Sequence, residues 1–284
     1  MNINYTLSII VTSRNRTSEL QRFIKTLNVQ RGIDLLSLQL IFVDQEDNKE
    51  LFNSLDKRVE LKYIKYHKCS LSEARNQALP FVNREYVCFG DDDSWYDCDT
   101  FQNVFQWLRK GYDGVFGVVM NENGYYCNVF PSDAQRLTYT HHCGAMSASM
   151  FLKFDAKLKF DENIGVGSPF NLGSGEETDY LLSYMETHPK FNFYYTPMIV
   201  VRHPVNKIEV AELYFNKHYS YARGAGYVLR KHKRLPLSYK ILQLVRPACG
   251  MILFGLTNRV RARKSYYLFK GRIEGYFYKI ETAP

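Results

Sequence analysis

The stretch CFGDDDSWY sets Asp91, Asp92 and Asp93 side by side, directly after an apolar run. Neighbouring like charges repel, so the cluster needs a counter-charge or an exposed turn. Adjacent aspartates at the mouth of a strand suit a hard divalent cation, which takes oxygen ligands and tolerates bridging phosphates, so Mg2+ or Mn2+ fits. The competing reading is a solvated acidic turn or a helix cap, and the triplet alone does not separate the two. A second group, His141-His142-Cys143, is spaced too tightly for a metal and lacks an evident fourth ligand, so it reads as a strand or pocket wall. A third, GSGEETDY, offers three carboxylates, Glu176, Glu177 and Asp179, where a helical pattern opens and the helix dipole favours negative charge.

The elements that must position these groups follow from apolar periodicity. YTLSIIVTS and LSLQLIFVD are dense in Ile, Leu and Val and read as buried strands, with a helical pattern around SELQRFIKTL between them; together they make a βαβ unit with parallel strands. VELKYIKY alternates like a strand. SLSEARNQAL opens a helix with Ser70 at the cap and Glu73 three residues on, and REYVCFG is the next strand. The aspartates therefore fall at the C-terminal end of a strand in an open α/β sheet, where such folds place their ligands. Beyond them, Asp99 is expected to cap a helix (DTFQNVFQWLRKG), and YDGVFGVVMNENGYYCNVF reads as a hairpin around Asn123-Gly124. GEETDYLLSYMETH then reads as a helix and FNFYYTPMIVVRHP as a strand.

This order of pieces resembles the inverting family 2 glycosyltransferases, which have a GT-A fold. The resemblance covers roughly residues 5–205. SIIVTSRNR is similar to the family's opening strand and turn, with Thr12 where proline is usual. LIFVDQED resembles the second strand ending in aspartate, SLSEARNQAL the Ala-Arg-Asn helix, and YVCFGDDDSWY the DxD strand. FDENIGVGSPFNLGSGEETDYLLSYM resembles the acceptor-side segment with its acidic pair, and IVVRHP the strand that returns a histidine.

The resemblance implies a role for each matching residue. Asp44 would accept a hydrogen bond from the nucleotide base, with Thr12 and Arg14 beside it, and Arg75 would hold the base or neutralise the diphosphate. Asp91 would face the ribose, with Asp92 alongside in the nucleotide-sugar site. Asp93 would ligate the metal and His203 would complete its shell. Glu177 would be the base that deprotonates the acceptor hydroxyl, in a place where the family usually carries Asp, with Glu176 as the alternative. Asp179 and Trp95 would lie on the acceptor side, Trp95 as a sugar-stacking ring or simply as core.

Bulk properties divide the chain. The net charge of +8 conceals 20 Lys/Arg against 25 Asp/Glu in residues 1–201 and 17 against 4 in residues 202–284. Residues 206–284 are thus expected to form a basic, aromatic helical extension to a catalytic domain at 1–205, with Pro236 and Pro247 punctuating its helices. The longest apolar stretch there, Pro247 to Leu256, is too short to span a bilayer, whereas basic helices rich in Tyr, Phe and Leu suit an anionic membrane interface. No recognised nucleic-acid-binding fold accompanies the charge, so nucleic acid is not an expected partner. Six scattered cysteines and an N-terminus without a basic leader point to reduced thiols in the cytoplasm.

The expectation is a GT-A α/β enzyme, with a mostly parallel sheet flanked by helices. It moves a sugar of hexosyl type from a nucleotide-diphosphate-sugar to a glycan or lipid-linked glycan, with Mn2+ or Mg2+, at the inner face of the cell membrane. A sugar nucleotidylyltransferase should carry a Gly-rich loop with Arg and Lys after the first strand, which VTSRNRTSEL lacks. A non-catalytic glycan- or membrane-binding protein on a degenerate transferase fold is the alternative from another class.

Overall fold

Apolar runs become the buried strands expected of them. The structure, a computed structural model, describes residues 5–14, 16–142, 146–204 and 211–280. In chain order the elements are β1 (Leu7–Ser13), α1 (Thr17–Asn28), β2 (Leu38–Asp44), β3 (Glu60–Lys65), α2 (Leu71–Ala78), β4 (Tyr86–Asp91), β5 (Trp95–Tyr96) and α3 (Thr100–Leu108). There follow β6 (Gly114–Met120), β7 (Gln135–Arg136), β8 (Met150–Lys153), α4 (Glu176–Thr187), β9 (Phe193–Arg202), α5 (Ala211–Lys231), α6 (Leu237–Gly255) and α7 (Arg259–Phe277).

The chain divides into two compact units, one of Met1–Cys69, Glu73–Lys159 and His188–Val205, the other of Ser70–Ser72, Phe160–Thr187 and Asn206–Pro284. This is not the linear division expected at residue 205. The segment with α4 groups with the C-terminal helices, and Asp179 of α4 accepts hydrogen bonds from Lys231 and His232 at the end of α5.

The first unit is built on one mixed sheet in the order β3-β2-β1-β4-β8-β6-β9-β5, with β7 also paired to β9. All its long pairings are parallel: β1 with β2 and β4, β2 with β3, and β6 with β9. β2 is buried along its whole length, as a central strand covered on both faces must be. In α1, Leu20, Phe23, Ile24 and Leu27 are buried at the spacing of one helix face and pack into the same core. The register sets Ser13 beside Asp44 and Thr12 beside Asp91, so the ends of three parallel strands lie level. Between β6 and β9 the pairing slips at Gly117, where a Cβ would collide with Ile199.

Several local expectations change. The Asn123-Gly124 turn forms, with Gly124 N–H donating to the Asn121 carbonyl, but its second arm shrinks to one bridge between Met120 and Tyr126. Asp99 stands at the cap of α3 without a side-chain bond, because its backbone (φ −114°, ψ 5°) is not the extended form that aims a capping carboxylate. His141 and His142 lie in a loop, with imidazoles against Thr140 and the Tyr139 carbonyl; Cys143 lies outside the described residues. The five described cysteines are free thiols.

In the second unit α5 packs on α7 and α7 on α6. Gly275 and Gly271 of α7 face α5 so closely that a Cβ on either would strike the α5 backbone. Pro236 does precede α6, but Pro247 does not end it: the helix runs through, buried at that residue. An interior proline removes one backbone bond and costs about 3 kcal/mol, which a helix held by packing along its length can absorb.

Candidate active site

The cluster Asp91–Asp93 sits where the level strand ends converge. β4 ends at Asp91, and the turn that follows closes with Ser94 N–H and Oγ on the Asp91 carbonyl. That turn carries Asp92 and Asp93 back toward the start of α1. Arg16 Nη1 donates to Asp93 Oδ2 at 2.6 Å, Arg22 Nη2 to the Asp93 carbonyl at 2.9 Å, and Arg14 N–H reaches Asp92 Oδ2 at 3.4 Å. On the other side His203, just past β9, places Nε2 3.0 Å from Asp93 Oδ1. Its Nδ1 lies 2.7 Å from the Pro204 carbonyl, so Nδ1 carries a proton toward that oxygen and Nε2 faces the carboxylate.

Proton affinities are graded across the three aspartates. Burial pushes Asp91 up, against the pull of Arg75, and pushes Asp92 up to about 6, with the Asp93 charge adding to it. Burial also works to raise Asp93, but the His203 hydrogen bond and the charges of His203 and Arg16 outweigh it and hold this carboxyl below its ordinary value. Reciprocally, burial would lower His203, and the Asp93 hydrogen bond and charge raise it instead. Asp93 is thus the carboxyl of the three whose surroundings favour its charged form.

At 3.0 Å, Asp93 Oδ1 and His203 Nε2 are in hydrogen-bond contact, and both are donor types that would suit Mn2+ or Mg2+. An Nδ1–H bonded to a backbone carbonyl is the usual way of aiming the opposite nitrogen at a metal. Among the described residues no group of three or more His, Cys, Asp or Glu is assembled for a metal. Asp93 and His203 are the residues here that would hold such a cation, which would supply positive charge toward a diphosphate.

The other expected residues are placed less uniformly. Thr12 lies beside Asp91 at the strand ends. Asp44 is fully buried and accepts four donors: Glu46 N–H and Asn48 Nδ2 on Oδ1, Asn48 N–H and the Tyr63 hydroxyl on Oδ2. Burial would raise its pKa, yet these donors outweigh it and hold it low. They fill the four acceptor positions of a carboxylate, so in this arrangement Asp44 shapes the loop after β2 and has no acceptor position left for a base. Arg75, only 1% exposed, turns its guanidinium to Ser147 Oγ (2.8 Å) and Asp91 Oδ1 (3.3 Å); it orients Asp91 from below. Trp95 carries the Arg22 guanidinium 3.8 Å over its ring, which occupies that face against a sugar.

In the second unit, the acidic triplet opens α4 as expected. Glu176 is buried; a Cβ on Gly165, which has φ +105°, would lie 3.2 Å from its carboxylate. Glu177 is partly exposed. Asp179 is not an open acceptor-side group: it is 1% exposed and receives Lys231 Nζ at 2.8 Å and His232 Nε2 at 2.9 Å.

Sequence reasoning missed Arg16, Arg22, Asn48, Tyr63 and Ser147. A signal existed for the first two, since RNRTSELQR places three arginines around the start of α1. Ser147 carried none.

Comparisons with known proteins bear on the family and the fold. The model of the family described as Glycosyl transferase family 2 matches residues 8–171. The minor teichoic acid biosynthesis protein GgaB of Bacillus subtilis (strain 168) is 25% identical over 189 residues, 60% of this chain; the chain spans about a fifth (21%) of that relative's length. Among solved structures, S. aureus TarS 1-349 in complex with UDP-GlcNAc superposes with a TM-score of 0.60 at 13% identity, covering 95% of this chain and 91% of that one. The mannosyltransferase PcManGT from Pyrobaculum calidifontis, in complex with GDP-Man and Mn2+, gives 0.69 at 14% identity, covering 97% and 88%. At such identities these two show a shared fold, the GT-A-like α/β fold, while the family match covers more than half of the sequence: the chain belongs to glycosyl transferase family 2 and is a glycosyltransferase.

Proposed function

We propose that the enzyme transfers a sugar, with inversion, from a nucleoside-diphosphate-sugar to a hydroxyl of a glycan or lipid-linked glycan, in the assembly of a surface polysaccharide. The observation that carries the donor side is the Asp93–His203 pair, 3.0 Å apart at the ends of the parallel strands and ringed by arginines. Asp93 and His203 would hold Mn2+ or Mg2+, which when bound offsets the diphosphate charge and steadies it as a leaving group. Arg16 stands ready to exchange its carboxylate for a phosphate oxygen, for which a guanidinium fork is equally suited. Glu177, the partly exposed carboxylate of α4, would take the proton of the acceptor hydroxyl as it attacks the anomeric carbon opposite the leaving diphosphate. Teichoic acid synthesis in the name of the B. subtilis relative and nucleotide sugars in the titles of the solved neighbours support substrate classes of this kind.

The site of action in this reading is the cytoplasmic face of the cell membrane, with the enzyme peripheral to it. Among the described residues no helix is long and apolar enough to cross a membrane. Calorimetric titration of UDP- and GDP-sugars with and without Mn2+ tests the donor side. One sugar nucleotide should bind in a metal-dependent way, and Asp93→Ala should abolish that dependence; metal-dependent binding unchanged in Asp93→Ala would remove the assignment. Incubating the responding donor with envelope lipid and glycan fractions then tests transfer, which a non-catalytic glycan-binding protein would not perform.

A further inference from the structure

We infer that the outer face of α6 is a docking surface for an anionic lipid bilayer, on which the helix lies in the plane of the interface. The observation is a helix whose outward face is apolar. In α6 the residues buried toward the rest of its unit include Lys240 and Pro247, while Ile241, Leu242, Val245, Ile252, Leu253 and Leu256 are exposed. At 3.6 residues per turn these six fall within an arc of about 120°. Ile252 is 83% exposed, Leu253 69% and Leu256 fully. A surface helix of a soluble protein usually keeps its apolar stripe inward; the outward arc of α6 is apolar as well. An exposed apolar arc of this kind is the surface feature that marks a protein–protein or membrane interaction site.

Charge selects the occupant. Residues 237–264 contain six Lys or Arg and no Asp or Glu. Arg246 lies at the edge of the apolar arc, and Arg259 and Arg261 are exposed where α7 begins. A second copy of this surface would bring two sets of cations together without a counter-charge. A bilayer with acidic headgroups instead takes the apolar arc into its acyl boundary while the arginines stay among the phosphates. α6 is not a membrane-crossing segment, so the geometry is that of a helix lying on the surface.

This deepens the membrane-side part of the proposed function and rests on it for its purpose. Its test involves no sugar transfer, so the two fail separately. The full chain is mixed with vesicles of phosphatidylcholine alone or of phosphatidylcholine with phosphatidylglycerol, at about 0.1 M and about 0.5 M salt, and the bound fraction is read by flotation. The expected result is binding to the acidic vesicles that weakens at high salt. Ile252→Asp combined with Leu253→Asp, both outside the folded core, should lower the partition at least tenfold with an unchanged circular dichroism spectrum. Arg259→Gln with Arg261→Gln should remove most of the preference for acidic lipid. Failure to bind acidic vesicles overturns the inference. So does equal binding to neutral ones, or binding that survives both aspartates. Sedimentation velocity without vesicles supplies a further check: a dimer in the wild type that the two aspartates dissociate would show that a second copy covers this face, and would overturn it as well.

Discussion

Asp179→Asn should destabilise the second unit, which separates a structural role for this carboxylate from the acceptor-side role its sequence position suggests. The side chain is 1% exposed and accepts Lys231 Nζ at 2.8 Å and His232 Nε2 at 2.9 Å. Removing one partner of a buried ion pair costs about 3–5 kcal/mol when the other is left alone. Here Lys231 is not abandoned, since it keeps Asp161 at 2.8 Å, and His232 Nδ1 remains within 3.1 Å of Glu186 Oε1 without a hydrogen bond. The asparagine oxygen also still accepts one bond, of about half the strength of a charge-assisted one. The loss should therefore be about 2 kcal/mol, which for a chain of this size lowers the unfolding temperature by roughly 3 °C. Calorimetry and urea denaturation measure it. A double-mutant cycle with His232→Gln should show a coupling of about 1 kcal/mol. An unfolding temperature within a degree of wild type, with no coupling to His232, would refute the reasoning and return Asp179 to the acceptor.

Three further outcomes are expected. Glu177→Gln, which keeps size but cannot take a proton, should lower transfer on the order of 10²-fold or more while donor binding by calorimetry stays near wild type; near-normal transfer with loss in Glu176→Gln instead would move the base by one residue. Asp161 has its pKa raised by burial but lowered further by the hydrogen bond and charge of Lys231 and by Asn163, so it is net depressed. Its stabilisation is present above the unfolded value of about 4 and lost as pH falls through the folded value, so the stability gap between wild type and Asp161→Asn should be full at about pH 6 and close in strong acid. Gly275→Ala should destabilise by about 1–3 kcal/mol in urea denaturation, because the added methyl meets the Arg223 carbonyl across the α5–α7 contact.

The parts of the fold that were legible are those in which one periodicity decides the structure. β1, β2 and β4 are continuous apolar runs that only a doubly covered parallel sheet can bury, and α1 repeats its apolar residues on one helical face. Those three strands and α1 suffice to bring Thr12, Asp44 and Asp91 to one edge of the sheet. What could not be read is set by contacts between distant segments. Pro247 looked like a helix end because local rules alone disfavour an interior proline. The grouping of residues 160–187 with the C-terminal helices, where Asp179 meets Lys231 and His232, is a match that no local pattern announces.

At the site the same distinction separates residue type from residue employment. A triplet of aspartates after a strand announces a charge problem, and the structure answers it with groups from opposite ends of the first unit: Arg16 and Arg22 from the first helix, His203 from the last strand. Asp93 is the member whose neighbours favour its charged form, while burial works to protonate Asp91 and Asp92. The proposal that Asp93 is the carboxylate a metal would use thus has a physical argument beyond its position in the triplet. Asp44 and Arg75 teach the converse. Both stand where a ligand contact was expected, and both have their hydrogen-bonding groups turned inward, to the loop after β2 and to Asp91. Their substitution should act first on the shape of the site, through Asn48 and Asp91, because a buried group that loses its partner disturbs the neighbour it was holding.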